Sequence, residues 1–233
     1  MALYCARLVD EKNTGQAQAA KEAEQLLQIL TPIAKSWPSE WGLESNNLAI
    51  QVLGGYGYTR DFPVEQYWRD NRLNMIHEGT HGIQALDLLG RKVLIDEGRG
   101  LTLLTHRIND TISRARVAHG LAEHADALEH ALNQLLSATR SAWADADPDA
   151  ALANATTYLQ GFGHTVMAWV WLDVAVAAKT HAANSAPRDA SFFLGKLQAV
   201  RYFFLHELPK VAAWLRPSAS RDATCREMQD AWF

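Results

Sequence analysis

The sequence predicts an all-α protein built as two stacked helical bundles, and three observations carry the prediction. Ala and Leu, the strongest helix formers, supply 37 and 29 of the 233 residues, whereas Gly and Pro, which interrupt helices and strands alike, supply 14 and 7. Apolar residues recur at three- and four-residue spacing through most of the chain. No run shows the apolar–polar alternation of a strand. With 48% hydrophobic and 21% charged residues, the composition is that of a globular chain long enough to bury a core.

The opening residues, with Leu3, Arg7, Asp10 and Glu11, read as the middle of a helix with no capping residue ahead, as if the chain began inside a longer domain. Lys21 to Lys35 reads as an amphipathic helix with Ala23, Leu26, Leu27, Leu30 and Ile33 on one side, which Pro38 is expected to end. Asn46 to Leu53 reads as the end of another helix, and three glycines within Gly54 to Tyr58 break it. Pro63 is placed to start a helix over Val64 to Arg72. After Glu78, Gly79 and Thr80 a long helix carries Ile83, Leu86, Leu89, Leu94 and Ile95 until Gly98 and Gly100. Residues 1–97 are taken as one helical domain and 98–233 as a helical extension with longer, Ala-rich helices.

In the extension, Val117, Leu121, Leu128, Leu132 and Leu135 fall within a narrow arc of one helix. Asp145 to Pro148 reads as a turn followed by a helix over Ala150 to Gln160. Thr165 to Ala178 is the most apolar stretch; Asp173 interrupts it and it falls short of the ~20 residues that cross a bilayer, so it reads as a core helix and no membrane span is expected. Asn184 to Pro187 reads as a turn, and Pro209 and Pro217 as the limits of short terminal helices.

Several functions are disfavoured. A net charge of −4 gives a nucleic-acid backbone little to attract, and Arg114, Arg116 and Arg140 are too few for a basic stripe. Cys5 and Cys225 stand at opposite ends without metal-ligand spacing, which fits a reducing, cytoplasmic setting. His119, Glu123, Asp126 and His130 would share one helix face, but that face lies opposite the apolar stripe and reads as solvated rather than as a metal site. His106, His164, His181 and His206 are scattered, and Gly161-Phe162-Gly163 is too short to mark a phosphate loop.

The informative stretch runs from Gln51 to Arg91. A glycine turn whose backbone can approach a ligand precedes a helix, and a lone carboxylate, Glu78, stands just before another helix amino terminus, whose free N–H groups suit a polar ligand edge. On spacing alone, Glu78 reads more readily as a capping acid set against a helix dipole, while the glycines could be a simple interhelical turn and Asp70 reads as a partner of neighbouring arginines.

Gln51-Val52-Leu53-Gly54-Gly55-Tyr56-Gly57-Tyr58, then Arg69-Asp70, then Ile76-His77-Glu78-Gly79-Thr80 with Ile83-Gln84, resembles the carboxy-terminal helical domain of acyl-CoA dehydrogenases. The tail after about Gly100 resembles the extra helical region of long bacterial members such as 3-methylmercaptopropionyl-CoA dehydrogenases. The resemblance implies that Glu78 is the catalytic base of α,β-dehydrogenation of an acyl-CoA thioester in fatty acid metabolism. It implies that Gly79 lies against substrate, that Thr80 touches the flavin, and that Gln51, Gly54 and Gly55 contact the nucleotide portion of FAD on a neighbouring subunit. It further implies acyl-CoA and an electron-accepting flavoprotein as partners, and a homo-oligomer or a partner chain. His77 stands where many relatives carry tyrosine, and Gly82 where many carry glutamine. Full members also have an amino-terminal helical domain and a middle β-domain, so the FAD site is expected to be incomplete in this chain and the chain inactive alone. The competing expectation is a non-enzymatic helical module that assembles with a partner.

Overall fold

The structure, a computed structural model, describes residues 1–77, 79–182 and 187–233. Among these there are helices and turns and no strand, so the fold is all-α. The order is α1 (Ala2–Thr14), α2 (Ala17–Leu53), α3 (Val64–Asn74), α4 (His81–Asp87), α5 (Ile95–Val117), α6 (Ala122–Ala142), α7 (Pro148–Leu152), α8 (Ala155–Ala182), α9 (Pro187–Tyr202) and α10 (Lys210–Ser220).

α2 is one helix of 37 residues that continues through Pro32 and Pro38, so the expected break at Pro38 is absent. Each proline forgoes the bond to the carbonyl four residues earlier and typically costs ~3 kcal/mol in a helix interior. The anticipated stripe outweighs this: Leu26, Ile29, Leu30 and Ile33 are buried, and a fully buried aliphatic side chain contributes ~1.5–3 kcal/mol. The stripe packs against α1, α5 and α8.

The long helix expected after Thr80 is instead three pieces. α4 ends at Asp87, a π-turn spans Leu88–Lys92, and α5 opens on a left-handed turn at Asp96, Glu97 and Gly98, with φ of 50°, 57° and 75°. The buried side is accordingly Ala85, Leu88, Leu89 and Val93, while Ile83, Leu86 and Leu94 face outward. The indole N–H of Trp143 donates to the carbonyl of Leu89 at 3.1 Å, tying the widened turn to the end of α6.

Val117 closes α5 and is exposed, so it does not share a stripe with Leu121, Leu128, Leu132 and Leu135, which are buried and belong to or flank α6. The helix expected over Ala150 to Gln160 divides into α7 and α8 at Ala153 and Asn154. Pro209 caps α10, whereas Pro217 lies inside its last turn. The turn expected at Asn184 to Pro187 lies outside the described residues except for Pro187, which begins α9.

The most apolar stretch lies within α8, whose 28 residues are long and apolar enough to cross a membrane by length and composition. Its apolar side is instead enclosed by α5, α6 and α10, where Val166, Leu172 and Ala175 are fully buried. Gly161 and Gly163 permit the close approach of α10 and α2. A Cβ on Gly161 would lie 2.7 Å from Leu215, and one on Gly163 would lie 2.5 Å from Trp37. The hydrophobic core runs without a break from Leu8 to Leu215, across both halves of the chain.

Candidate functional site

Two segments carry the residues singled out by sequence. The first is the end of α2. Gln51 is exposed on its last turn, and the N–H of Gly54 returns to the carbonyl of Gln51. Gly54 has φ +61°, a conformation that side-chain-bearing residues rarely adopt, and it turns the chain into a 3-10 segment over Gly54–Tyr58. A Cβ at Gly54 or Gly55 would meet nothing within 4 Å, so both present open backbone. Gly57 differs: it is buried, and a Cβ there would lie 2.8 Å from the carbonyl oxygen of Ile50.

α3 returns along α2, held by the amide of Asn71 donating to Asn46 Oδ1 at 3.1 Å. Arg69 pairs with Glu65, and Asp70 is exposed with no ion pair among the described residues, so the structural pairing expected of Asp70 is not formed.

The second segment precedes α4. Glu78, the predicted base, lies outside the described residues. Gly79 has φ +99°, and a Cβ there would be 3.0 Å from Gln84 Nε2. Thr80 is the N-cap of α4. Its hydroxyl accepts the N–H of Ile83 at 3.5 Å, and its carbonyl accepts the N–H of Gln84 at 3.0 Å. Gly79 and Thr80 are therefore joined in one turn. Among the described residues no hydrogen bond or ion pair links them to Gln51, Gly54 or Gly55.

The tetrad His119, Glu123, Asp126 and His130 is exposed, as expected of a solvated face, but His119 stands in the turn before α6 rather than on the helix. Asp126 is engaged by Arg116 at 2.8 Å.

Sequence reasoning passed over the polar cluster beneath α4. His81, the first residue of that helix, hydrogen-bonds through Nδ1 with the hydroxyl of buried Ser36. Its Nε2 is 3.9 Å from the Glu40 carboxylate, which accepts from the amide of Gln160 on α8. One turn along α8, His164 is fully buried among Trp37, Trp41, Phe203 and Trp214. Its Nδ1 accepts from the Trp37 indole at 2.9 Å, and its Nε2 faces Glu207 at 3.6 Å. Burial pulls the imidazole pKa from 6.5 down to about 4, against the opposing pull of the Gln160 carbonyl and Glu207. The i, i+4 pairs Trp37–Trp41 and Gln160–His164 were the available signal. A groove of about 630 Å³ opens beside this cluster, lined by Glu40, Trp41, Asn47, Trp68, Met75 and Lys210. None of Gln51, Gly54, Gly55, Gly79 or Thr80 lines it.

The sequence matches the family described as acyl-CoA dehydrogenase, C-terminal domain, over residues 2–94, and that described as acetyl-CoA dehydrogenase C-terminal like over residues 104–229. It is 32% identical over 213 residues to 3-methylmercaptopropionyl-CoA dehydrogenase of Ruegeria pomeroyi, covering 88% of this chain and 35% of that protein. A butyryl-CoA dehydrogenase of Syntrophomonas wolfei is 27% identical over 215 residues, covering 90% of this chain and 35% of the relative. A broad-specificity linear acyl-CoA dehydrogenase of Mycobacterium tuberculosis is 26% identical over 223 residues, 92% of this chain and 36% of the relative. The chain thus spans about a third of the length of these relatives.

Proposed function

The chain belongs to the acyl-CoA dehydrogenase family, as its C-terminal portion, and from that premise we propose that it supplies the base and part of the flavin contact for α,β-dehydrogenation of an acyl-CoA thioester. The observation that carries the reading is the ordered set Gln51-x-x-Gly54-Gly55 and Glu78-Gly79-Thr80 within the segment that matches the family's C-terminal domain.

The residues present fit part of an FAD site. Open, exposed backbone at Gly54 and Gly55 leaves room where a Cβ would intrude on a nucleotide, and the Gln51 amide stands exposed beside it. Gln51, Gly54 and Gly55 would hold the nucleotide portion, and Thr80 the flavin edge. The flavin, when bound, supplies the hydride acceptor. Glu78 accepts the proton from the carbon next to the thioester carbonyl, a task that requires a carboxylate shielded from water, because desolvation raises its basicity. Gly79, without a side chain, lets substrate lie close to that carboxylate.

The exposed apolar side chains along Leu48 to Leu86 support assembly with further protein, either the remaining domains of the fold or a neighbouring subunit. An electron-accepting flavoprotein completes the turnover, and the two free thiols suit a reducing cytoplasm.

The test is Glu78→Gln in the enzyme completed by its amino-terminal and middle domains. Glutamine is nearly isosteric but cannot accept the proton, so flavin reduction followed by stopped-flow bleaching should slow by roughly 10²–10⁴-fold with acyl-CoA affinity largely kept. Asp70→Asn, at an exposed position with no ion pair among the described residues, should leave that rate unchanged. A Glu78→Gln enzyme within about threefold of the parent places the base elsewhere.

A further inference from the structure

His81 reaches from the turn that carries Gly79 and Thr80 toward the far half of the molecule, on which α4 also packs through α8. His81 hydrogen-bonds the Ser36 hydroxyl through Nδ1. With Ser36 donating, the ring proton is assigned to Nε2, which is buried, faces Glu40 at 3.9 Å and has no hydrogen-bond partner among the described residues. Ser36, His81 and Glu40 have the composition of a nucleophile, a base and an orienting acid. Ser36, however, is 2% exposed in the interior of α2, where no substrate reaches it, so a hydrolytic role fails on access.

Glu40 is shared between the two halves. The Gln160 amide, 120 residues away in sequence, donates to the same carboxylate oxygen that faces His81. One turn on, His164 is fixed by Trp37 at 2.9 Å and faces Glu207 at 3.6 Å, and Glu207 holds Lys210 at 2.6 Å. A polar path therefore runs from α10 through α8 and α2 into the first turn of α4. The charge-assisted link in the part-buried stretch of this path is the Gln160 amide on the Glu40 carboxylate, and such a bond fixes geometry more firmly than an exposed one does.

We propose that His81 is a positioning residue: clamped by Ser36 and Glu40, it fixes the turn that carries Gly79 and Thr80, and Gln160 makes the clamp depend on the helices that follow residue 104. The functional meaning rests on reading that turn as the flavin-facing one. What is added is that the helical tail sets the turn's position as well as enlarging the core.

The test is amide hydrogen exchange on the full chain without flavin. The reporters are the N–H groups of Ile83 and Gln84, bonded to the hydroxyl and carbonyl of Thr80. The comparators are Leu128 and Leu132, buried on α6. His81→Ala should speed the reporters roughly five- to tenfold, the scale of one lost side-chain hydrogen bond, with the comparators unchanged. Gln160→Leu, which removes the donor to Glu40 at similar volume, should speed them about two- to fivefold. His81→Gln keeps an acceptor for Ser36 and should restore most of the protection, a rescue that mere packing does not predict. Reporters at the parent rate in Gln160→Leu, or equal acceleration of the α6 amides, would overturn the inference. Because no flavin is involved, that failure leaves the catalytic reading standing. A Glu78→Gln enzyme that still reduces flavin removes the catalytic meaning of the turn, while the exchange result continues to support the clamp.

Discussion

The stretch from Leu48 to Leu86 and the bundle of α6, α8 and α10 draw on the same kinds of residue to opposite ends. In the bundle, Leu128, Leu135, Tyr158, Phe162 and Leu172 are completely enclosed, and the Tyr158 hydroxyl finds Thr139 at 2.7 Å. In the stretch, Leu48, Val52, Tyr58, Ile76 and Ile83 are 52–86% exposed. The bundle carries no recognised motif and is closed. The stretch carries every motif and is open. Exposed apolar side chains grouped in this way are what a contact face needs, and the proposed flavin contacts at Gln51, Gly54, Gly55 and Thr80 lie on the same stretch.

The comparison breaks most readily at its two extremes. Phe162→Ala should cost ~3–5 kcal/mol, because the ring is fully buried and α8 cannot collapse onto the space it leaves. Val52→Ala, on the open face, should stay within ~0.5 kcal/mol of the parent. Urea denaturation of the two variants decides it. A Val52→Ala loss approaching that of Phe162→Ala would mean that the face is enclosed within this chain.

A smaller effect sharpens the role of the buried polar cluster. The His164 pKa is lowered by burial from 6.5 to about 4, so below pH 6.5 the unfolded chain takes up a proton that the folded chain refuses. The contribution of this group to stability is therefore full above pH 6.5, falls as the pH drops, and levels off below about 4. Each tenfold in that proton equilibrium is ~1.4 kcal/mol, so the fall is on the order of a few kcal/mol. His164→Gln should flatten most of the difference between denaturation at pH 7.5 and at pH 4.5. An unchanged pH slope in the variant would assign the acid sensitivity to other groups.

Much of the fold was legible because helix propensity and apolar period act locally. The stripe on α2, the proline start of α3 and the glycine break at Gly54 all follow from residues within a few positions of one another. The errors arose where a distant partner decides. Pro38 does not end α2, because the residues on either side of it are held by α8: Trp37 and Trp41 pack on His164, and Glu40 accepts from the Gln160 amide. The π-turn at Leu88–Lys92 has its freed Leu89 carbonyl met by Trp143, 54 residues away, which no local pattern announces. Val117 has the right period for the α6 stripe, yet the turn at Ala118 to Leu121 separates it. In the candidate site, the glycine break at Gly54 could be read from residue type, while the Thr80 cap was passed over although threonine ahead of a helix is a common N-cap. The clamp on His81 could not be read from residue type, since it needs Ser36 and Glu40 from 45 and 41 positions upstream.

The last test changes stability least and bears most directly on the open face. If Leu48 to Leu86 is a contact surface, the isolated chain should cover it by self-association and bind a dye that reports exposed apolar surface. At tens of micromolar, light scattering should show dimers or larger species. Val52→Asp combined with Tyr58→Asp places two carboxylates on the most exposed apolar positions of the stretch. Desolvating those charges in an apolar contact is costly, so the variant should shift toward monomer and bind less dye. Neither side chain contributes to the core, so the denaturation midpoint should move by no more than ~0.5 kcal/mol in equivalent stability. The two readouts separate the possibilities: loss of association with stability kept assigns the face to contact, and loss of both would show that these side chains support the fold. A parent chain that scatters as a clean monomer and leaves the dye dark would show that the exposed apolar residues are too dispersed to act as one surface.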